Sequence, residues 1–472
     1  MSAETDRVLA ELARPARIHV HSTGQLVQDT DRAAAGMDRE RARRAKSKEE
    51  VFRKPQVEPL QEPDGRDLEI TAWQALGTLA RATTLARHGL GRGLAEHWQS
   101  LKYCRALAAP EDRGPLSVTS EGQSPERSYR GMQARELGRA FGLAVAERTV
   151  RHRHPDRIVA VIDAEAVLLA GFARSDRQPT LGNRPRPDYF IEAWRPEEPS
   201  VIYAVTVNGN HQVATSKTGK AQRTSFRQLA KASERAEHLH LGSWNTTPCL
   251  MMATELLAPG GITVHALQAP GSARLRSEHL DVPDDVDIDR RLKRNLKYVD
   301  TVQVPCTDGD PREHFHDAFF VPVKELAWFG QVLASTDAAS QLAWAGAGRE
   351  IARYLTSPQG RRHYQERTFA GAASVRDAHH TFGDDEFVGT DQVFRLAGQR
   401  VEAFSGIAKD LYELLEHGKV EEYRRHAYDH SGSWPTATST PGWGPASFRD
   451  DGTVMALRIL PKGDENTERE QR

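Results

Sequence analysis

Cysteine is scarce in this chain. Three in 472 residues, Cys104, Cys249 and Cys306, are too few and too scattered for a disulfide framework or a cysteine-based zinc site. Such usage fits a reducing cytoplasm. Long apolar runs are missing too: no stretch of ~18 apolar residues is present, so no membrane span is expected. The first residues, MSAETDRVLAELARPAR, lack the apolar segment of a signal peptide. Nor is there an excess of either charge. Lys and Arg number 64 and Asp and Glu 65, for a net charge of -1. The whole-molecule field therefore advertises no nucleic-acid partner, and any basic patch must be local. No Walker-type phosphate loop, Rossmann glycine fingerprint or Gly-any-Ser-any-Gly elbow occurs. These absences argue against an NTPase, a dinucleotide oxidoreductase and an α/β-hydrolase.

What is present suits a folded protein. Hydrophobic residues are 38 % and charged residues 27 %, and the mean hydropathy of -0.61 suggests well-exposed helices. The length favours two or three domains. Residues 1–66 read as a weakly ordered, charged region. Within it, Met37 to Lys54 carries eight basic and four acidic side chains, the pattern of a solvated face or a basic arm. Residues 67–130 read as helical followed by a polar linker, with Trp73, Leu76, Leu79 and Ala80 at helical spacing. Residues 131–276 carry the strongest pattern. Leu137, Phe141, Ala144 and Val145 give a helix with one buried face. The apolar run Ile158 to Ile162 reads as a buried strand. Strands also begin at Asp188 and cover Val201 to Val207, Cys249 to Ala253 and Ile262 to Leu267, with a helix from about Thr224 to Leu241 between them. The order helix, strand, strand, strand, helix, strand, strand is that of a mixed α/β core. Residues 277–472 read as mostly helical, around Val323 to Leu355 and Phe404 to Tyr428, and end in a strand from Thr453 to Leu460.

Residues 184–210, RPRPDYFIEAWRPEEPSVIYAVTVNGN, carry the most informative pattern. A Pro187-Asp188 pair opens one strand, a polar turn follows, and an apolar strand ends at Asn208-Gly209. This layout resembles the core of the PD-(D/E)XK, or restriction-endonuclease-like, nucleases, over roughly Arg135 to Gly271. The resemblance implies an α/β fold in which Asp188 and a second acid hold Mg²⁺ through oxygen. In such a core the metal activates water beside a lysine. The second strand should carry an acid-any-Lys triplet. Thr206, Val207 and Asn208 stand there instead, so two of the three usual catalytic groups are missing. The resemblance further implies Glu147 on the preceding helix and Gln228 on the following one as supporting residues. Glu192 would be the second metal ligand, with Asp163, Glu165 or Glu147 as substitutes and Lys217 or Lys220 as relocated lysines. Read without the resemblance, Asp188 is a surface carboxylate and Asn208-Gly209 an ordinary turn.

A local basic cluster follows the second strand. Lys217, Lys220, Arg223, Arg227, Lys231 and Arg235 are opposed by Glu234 alone. Arg227, Lys231 and Arg235 share one helix face, a stripe able to neutralise backbone phosphates or simply to stay wet. A second basic run, Arg290 to Lys297, follows an acidic one that can pair with it. Among nineteen histidines, the His314-Phe-His316-Asp317 stretch is the best metal candidate, though two ligands do not make a zinc site without a third. His379-His380 reads as exposed. The expectation is a cytoplasmic nucleic-acid-binding protein, DNA before RNA, with weak or absent catalysis and a place in genome defence or DNA processing. Two other readings stand: a working Mg²⁺-dependent nuclease with relocated residues, and a non-catalytic scaffold that binds a protein partner or a second copy.

Overall fold

A computed structural model of the chain describes residues 2–45, 51–61, 64–85, 96–123, 126–171, 184–212, 220–243, 247–276, 279–282, 300–305, 315–347, 349–356, 359, 375–435 and 442–461. The helices in chain order are α1 (Ser2–Ala13), α2 (Gly24–Ala45), α3 (Ala72–Thr83), α4 (Ser120–Gln123), α5 (Arg127–Arg153), α6 (Ala164–Gly171), α7 (Lys220–Glu237), α8 (Leu326–Trp344), α9 (Lys409–Glu416) and α10 (Val420–Asp429). The early strands are β1 (Pro15–His21), β2 (Glu58–Pro59), β3 (Leu68–Thr71), β4 (Leu107–Ala108), β5 (Ser117–Val118), β6 (Ile158–Asp163), β7 (Tyr189–Trp194), β8 (Ser200–Asn210) and β9 (Leu239–Gly242). Then come β10 (Cys249–Glu255), β11 (Thr263–Ala269), β12 (Arg274–Leu275), β13 (Asp300–Pro305), β14 (Phe315–Pro322), β15 (Val375–Phe382), β16 (Asp385–Leu396), β17 (Gln399–Ala408), β18 (Ala446–Phe448) and β19 (Thr453–Ile459).

The fold is mixed α/β. Its central sheet grows from a three-strand meander: β6 pairs antiparallel with β7 and β7 with β8, with Tyr189 opposite both Asp163 and Val205. The chain crosses over through α7 and returns as β10, parallel to β8. A dozen or more residues are needed for such a return, which is why a helix fills it. The order continues through antiparallel β11 to β1 and β3. Strands β7, β10 and β11 are buried along their whole length. That explains their continuous apolar runs, because helices cover both sheet faces. Strand alternation sends Phe190, Ile202 and Ala204 towards α7 and α8, and Ile191, Val205 and Val207 towards α5 and α3. Helix α5 buries Leu137, Phe141 and Val145 completely against the second face. It comes so close to β8 that a Cβ on Gly209 would collide with the Ala134 carbonyl oxygen.

Two regional expectations are corrected. The stretch 1–66 is not weakly ordered among its described residues. Strand β1 enters the central sheet between β3 and β11, burying Ala16, Ile18 and Val20 on alternate positions. Two charges of α2 find partners on α7: Arg41 meets Glu234 at 2.9 Å and Glu40 meets Arg227 at 2.8 Å. The region 277–472 is not mostly helical. Beside α8, α9 and α10 it contributes β13 and β14, and it builds a five-stranded antiparallel sheet in the order β15-β16-β17-β19-β18. These strands mix Thr, Asp, Glu and Gly into their apolar positions, so no clean period marks them. The closing strand Thr453–Ile459 forms as expected.

Buried charge joins this second sheet and its helices to the first. Arg424 on α10 forms a bidentate pair with Glu192 of β7, at 3.0 and 2.8 Å, and both side chains are buried. Ser200 donates a further hydrogen bond to Glu192 at 2.6 Å. Arg449 reaches Glu147 of α5 at 2.9 Å. Asp451 is 3.6 Å from Arg81 of α3 and accepts from Gln341 of α8 at 3.0 Å. Removing one partner of a buried pair leaves the other charge desolvated and alone. Arg424→Met should therefore cost about 3–5 kcal/mol in urea unfolding, and Arg424→Met combined with Glu192→Leu should recover most of that loss.

Asp337 on α8 adds a pH dependence. Burial pushes its carboxyl up to about 7; Asp451 and Glu192 add to the rise, and Arg81 and Arg424 oppose it. The ordinary value is 3.8, so the folded state holds this proton more tightly than the unfolded chain. Its contribution to stability is full at low pH and is lost as pH rises towards the folded value. The stability difference between Asp337→Asn and wild type should move in the variant's favour from about pH 4 to pH 7 and level off above. Thermal unfolding across that range measures it.

Candidate functional site

Of the expected site residues, Asp188, Lys231 and Arg235 meet, with Asp163 and Glu165, at one edge of the central sheet, where β6 ends, β7 begins and β8 approaches its end. A cleft of about 510 Å³ opens there, lined by Arg139, Asp163, Asp188, Lys231, Glu234 and Arg235 among others. Its walls come from α5, the β6 end, Glu165 of α6, the segment 184–189 and α7, with Arg41 of α2 at the rim. The apolar strands beneath keep these backbones rigid, while the charged side chains stand where the sheet meets water.

Asp188 is held from every side. Its backbone N–H donates to the Val205 carbonyl at 2.9 Å, and its own carbonyl accepts from Ala164 at 3.1 Å. One carboxylate oxygen accepts the Val207 N–H at 2.9 Å. The other forms a close ion pair with Arg235, whose Nε also donates to the Arg186 carbonyl at 2.8 Å. Both oxygens that would bind a metal are therefore engaged, one of them by a cation that belongs to the protein. Asp163, at the end of β6, is part-buried, and desolvation pushes its carboxyl up to about 6 against the Ala166 N–H and the Arg139 charge, which favour ionisation. Glu165 pairs with Arg186 at 2.9 Å, and Arg41 pairs with Glu234. Arg139 lies over the Tyr189 ring, 5.6 Å from its centre, and its Nε has no hydrogen-bond partner among the described residues. Lys231 and Arg184 are exposed on the cleft wall, with no ion pair at either among the described residues.

The other expected residues divide. Thr206 and Asn208 share with Asp188 the sheet face beneath α7, as strand alternation requires. Thr206 is buried, and neither its hydroxyl nor the Asn208 amide nitrogen has a hydrogen-bond partner among the described residues. Gln228 donates to the Gly209 carbonyl at 2.9 Å, which ties α7 to the end of β8. Glu192 is corrected as a metal ligand. It lies four residues along β7 from Asp188, about 13 Å away on an extended strand, and Arg424 takes both its oxygens. Glu147 is corrected as well: it sits two helical turns beyond Arg139, about 12 Å along the axis, and pairs with Arg449. Both acids serve the joint with the second sheet. The structure thus does not bring Asp188 and Glu192 together.

The basic stripe is mostly neutralised. Arg227 is tied to Glu40 and Arg235 to Asp188, leaving Arg223 and Lys231 exposed on α7. Lys217 and the side chain of Lys220 lie outside the described residues, as does the Arg290 to Lys297 run. The side chains of His314, His316 and Asp317 fall outside them too. His379 and His380 are not both exposed. They alternate across β15, and His380 turns inward with its ligand atom within 4.8 Å of those of Asp391 and Glu402. Sequence reasoning missed this cluster because its members come from three separate strands, and their even spacing of 11 residues matches no short metal-ligand motif. The signal available was the strand alternation of the His-His pair itself.

A structural role for the Asp188–Arg235 pair gives a measurable coupling. Asp188→Asn and Arg235→Ala should each destabilise the fold, and the double variant should lose less than the sum. A coupling of about 1–2 kcal/mol is expected for a charge-assisted pair that is part-exposed. Chemical denaturation of the four proteins measures it. No protein-family model, no curated protein and no solved structure matches the chain, so the cleft's role is read from its geometry alone.

Proposed function

We propose that the chain binds nucleic acid through this cleft, on a frame like that of the PD-(D/E)XK nucleases, with cleavage weak or absent. The observation that carries the reading is the Asp188–Arg235 pair. An arginine stands where the metal of such a nuclease would neutralise the aspartate. It supplies positive charge but no Lewis acidity and no bound water. The helix, three-strand meander, crossover helix and parallel strand fit that frame, with the aspartate at the start of the second strand. Arg139, Arg184 and Lys231 are left to meet an extended anion, and a backbone phosphate suits their spread along the cleft. DNA is the first candidate, and genome defence or DNA processing the setting, on the analogy of the frame alone. A metal-dependent nuclease is the second reading. It is favoured by Asp163, whose raised carboxyl faces the same cleft and could serve if Arg235 swings away.

Fluorescence anisotropy with labelled single- and double-stranded oligonucleotides tests the proposal. Affinity should fall log-linearly with salt, and Lys231→Ala or Arg184→Ala should each reduce the slope by about 1. Plasmid nicking with Mg²⁺ or Mn²⁺ should stay at background in wild type and in Asp188→Ala. Salt-independent or absent binding would defeat the proposal, and metal-stimulated nicking lost in Asp188→Ala would establish the second reading instead.

A further inference from the structure

We propose a divalent-metal site in the C-terminal sheet, formed by His380 of β15, Asp391 of β16 and Glu402 of β17. It is distinct from the cleft and independent of the nucleic-acid reading. Ligand atoms of all three residues lie within 4.8 Å of one another. Pairing register places them on one face of the sheet: His380 faces Phe387, Asp391 faces Phe404, and Glu402 faces Val393 on one side and Arg458 on the other. They are spaced along that register, so the side chains converge only because the face is concave. Gly389 and Gly406, opposite each other on the same face, leave its middle without side chains. Strand glycines commonly mark such bends.

The surroundings are those of a ligand set held in advance. Asp391 and Glu402 are 4 % and 2 % exposed. Two carboxylates brought so close repel each other, Arg458 offsets the charge of Glu402, and a dication held between them lowers the cost further. Glu402 is oriented from behind: Arg458 pairs closely with one of its oxygens and lies over the Trp443 ring at 4.5 Å. Its other oxygen is 3.9 Å from His380 Nε2. The imidazole is wedged edge-on between Phe404 at 4.6 Å and Trp443 at 4.9 Å. An outer partner that fixes a ligating carboxylate, with a hydrophobic shell around it, is the usual support of a metal centre. One imidazole nitrogen and two carboxylates suit Zn²⁺, Mn²⁺, Fe²⁺ or Co²⁺ better than Ca²⁺ or Mg²⁺, which prefer oxygen and more of it. Three protein ligands also leave a position open to water or a small anion. The bonds of such a centre are about 2.0–2.2 Å long, so the three side chains close inward on the ion by rotamer adjustment alone.

Co²⁺ is the probe, because bound in a site of low coordination number it absorbs in the visible. Full-length protein stripped with EDTA should develop that band with one equivalent of Co²⁺ and show an unfolding midpoint raised by the metal and lowered again by EDTA. His380→Gln and Asp391→Asn should each weaken binding at least tenfold, while His379→Ala, which removes the exposed neighbour, should bind as wild type does. Circular dichroism of each variant confirms its fold. Wild type giving neither band nor midpoint shift overturns the proposal, whatever the variants do. So does undiminished binding in folded His380→Gln and Asp391→Asn, which would place the metal on surface histidines.

Discussion

Glu192 and Arg424 hold this molecule together in the sense that neither could be where it is without the other. An isolated carboxylate in the middle of a buried strand costs several kcal/mol. So does a guanidinium at the bottom of a helix–sheet interface. Each becomes tolerable only when β7 and α10 are docked, with Ser200 and the Trp194 ring completing the shell around the pair. Docking therefore couples the central sheet to the C-terminal sheet and its helices. The Glu147–Arg449 and Asp451–Arg81 contacts repeat the device on the opposite face. Three charged crossings of this kind specify one arrangement of the two sheets, since a shift of register would strand several charges at once.

The same joint shapes the cleft. A meander whose second strand opens on an aspartate could recruit a second acid from its own strands or from the preceding helix. Here Glu192 and Glu147 are both drawn away to the arginines that fasten the second sheet. What remains near Asp188 is a set of short-range pairs: Arg235 with Asp188, Arg186 with Glu165, and Arg41 with Glu234. Their mutual neutralisation explains how a chain with almost no net charge can still present a cationic wall. The wall consists of the few cations left over, Arg139, Arg184 and Lys231, and the paired ones hold them in place.

The central α/β order was legible because its strands are buried on both faces, and burial on both faces leaves a continuous apolar run. Ile158 to Ile162 and Val201 to Val207 are such runs, and the strands extend beyond them by only one to three residues. Strand β1 hid because its alternate residues are Arg17, His19 and His21, and a seven-residue alternation beside a long charged helix reads as loose chain. Helix α2 hid for a different reason: its charges are satisfied across a gap of nearly two hundred residues, by Glu234 and Arg227, and no local rule anticipates that. The C-terminal sheet was illegible for the reason that makes it chemically interesting. Its inward face carries His380, Asp391 and Glu402 at positions where a pattern reader expects apolar side chains. The convergence of Asp188, Lys231 and Arg235 was readable from order and spacing. Which acid would join them was not, because that depends on partners in the last fifty residues.

Gly209 shows how far a shared motif can be trusted. Its place at the end of β8 counted towards the nuclease resemblance, yet packing accounts for it fully. Helix α5 crosses β8 at a distance that only glycine permits, with Gly138 and Ala134 on the helix side and Gly209 on the strand side. Thr254 of the neighbouring strand fastens the crossing by donating to the Gly138 carbonyl at 3.2 Å. Close approach there lets Arg139, one residue along the helix, reach over Tyr189 into the cleft. The glycines at 138 and 209 thus follow from one packing geometry, whereas the side chains at 206 and 208 are not fixed by it. A frame can keep the first set while its chemistry is decided entirely by the second. Here the Thr206 hydroxyl and the Asn208 amide nitrogen are buried without partners among the described residues, and the Asp188 carboxylate is paired with Arg235.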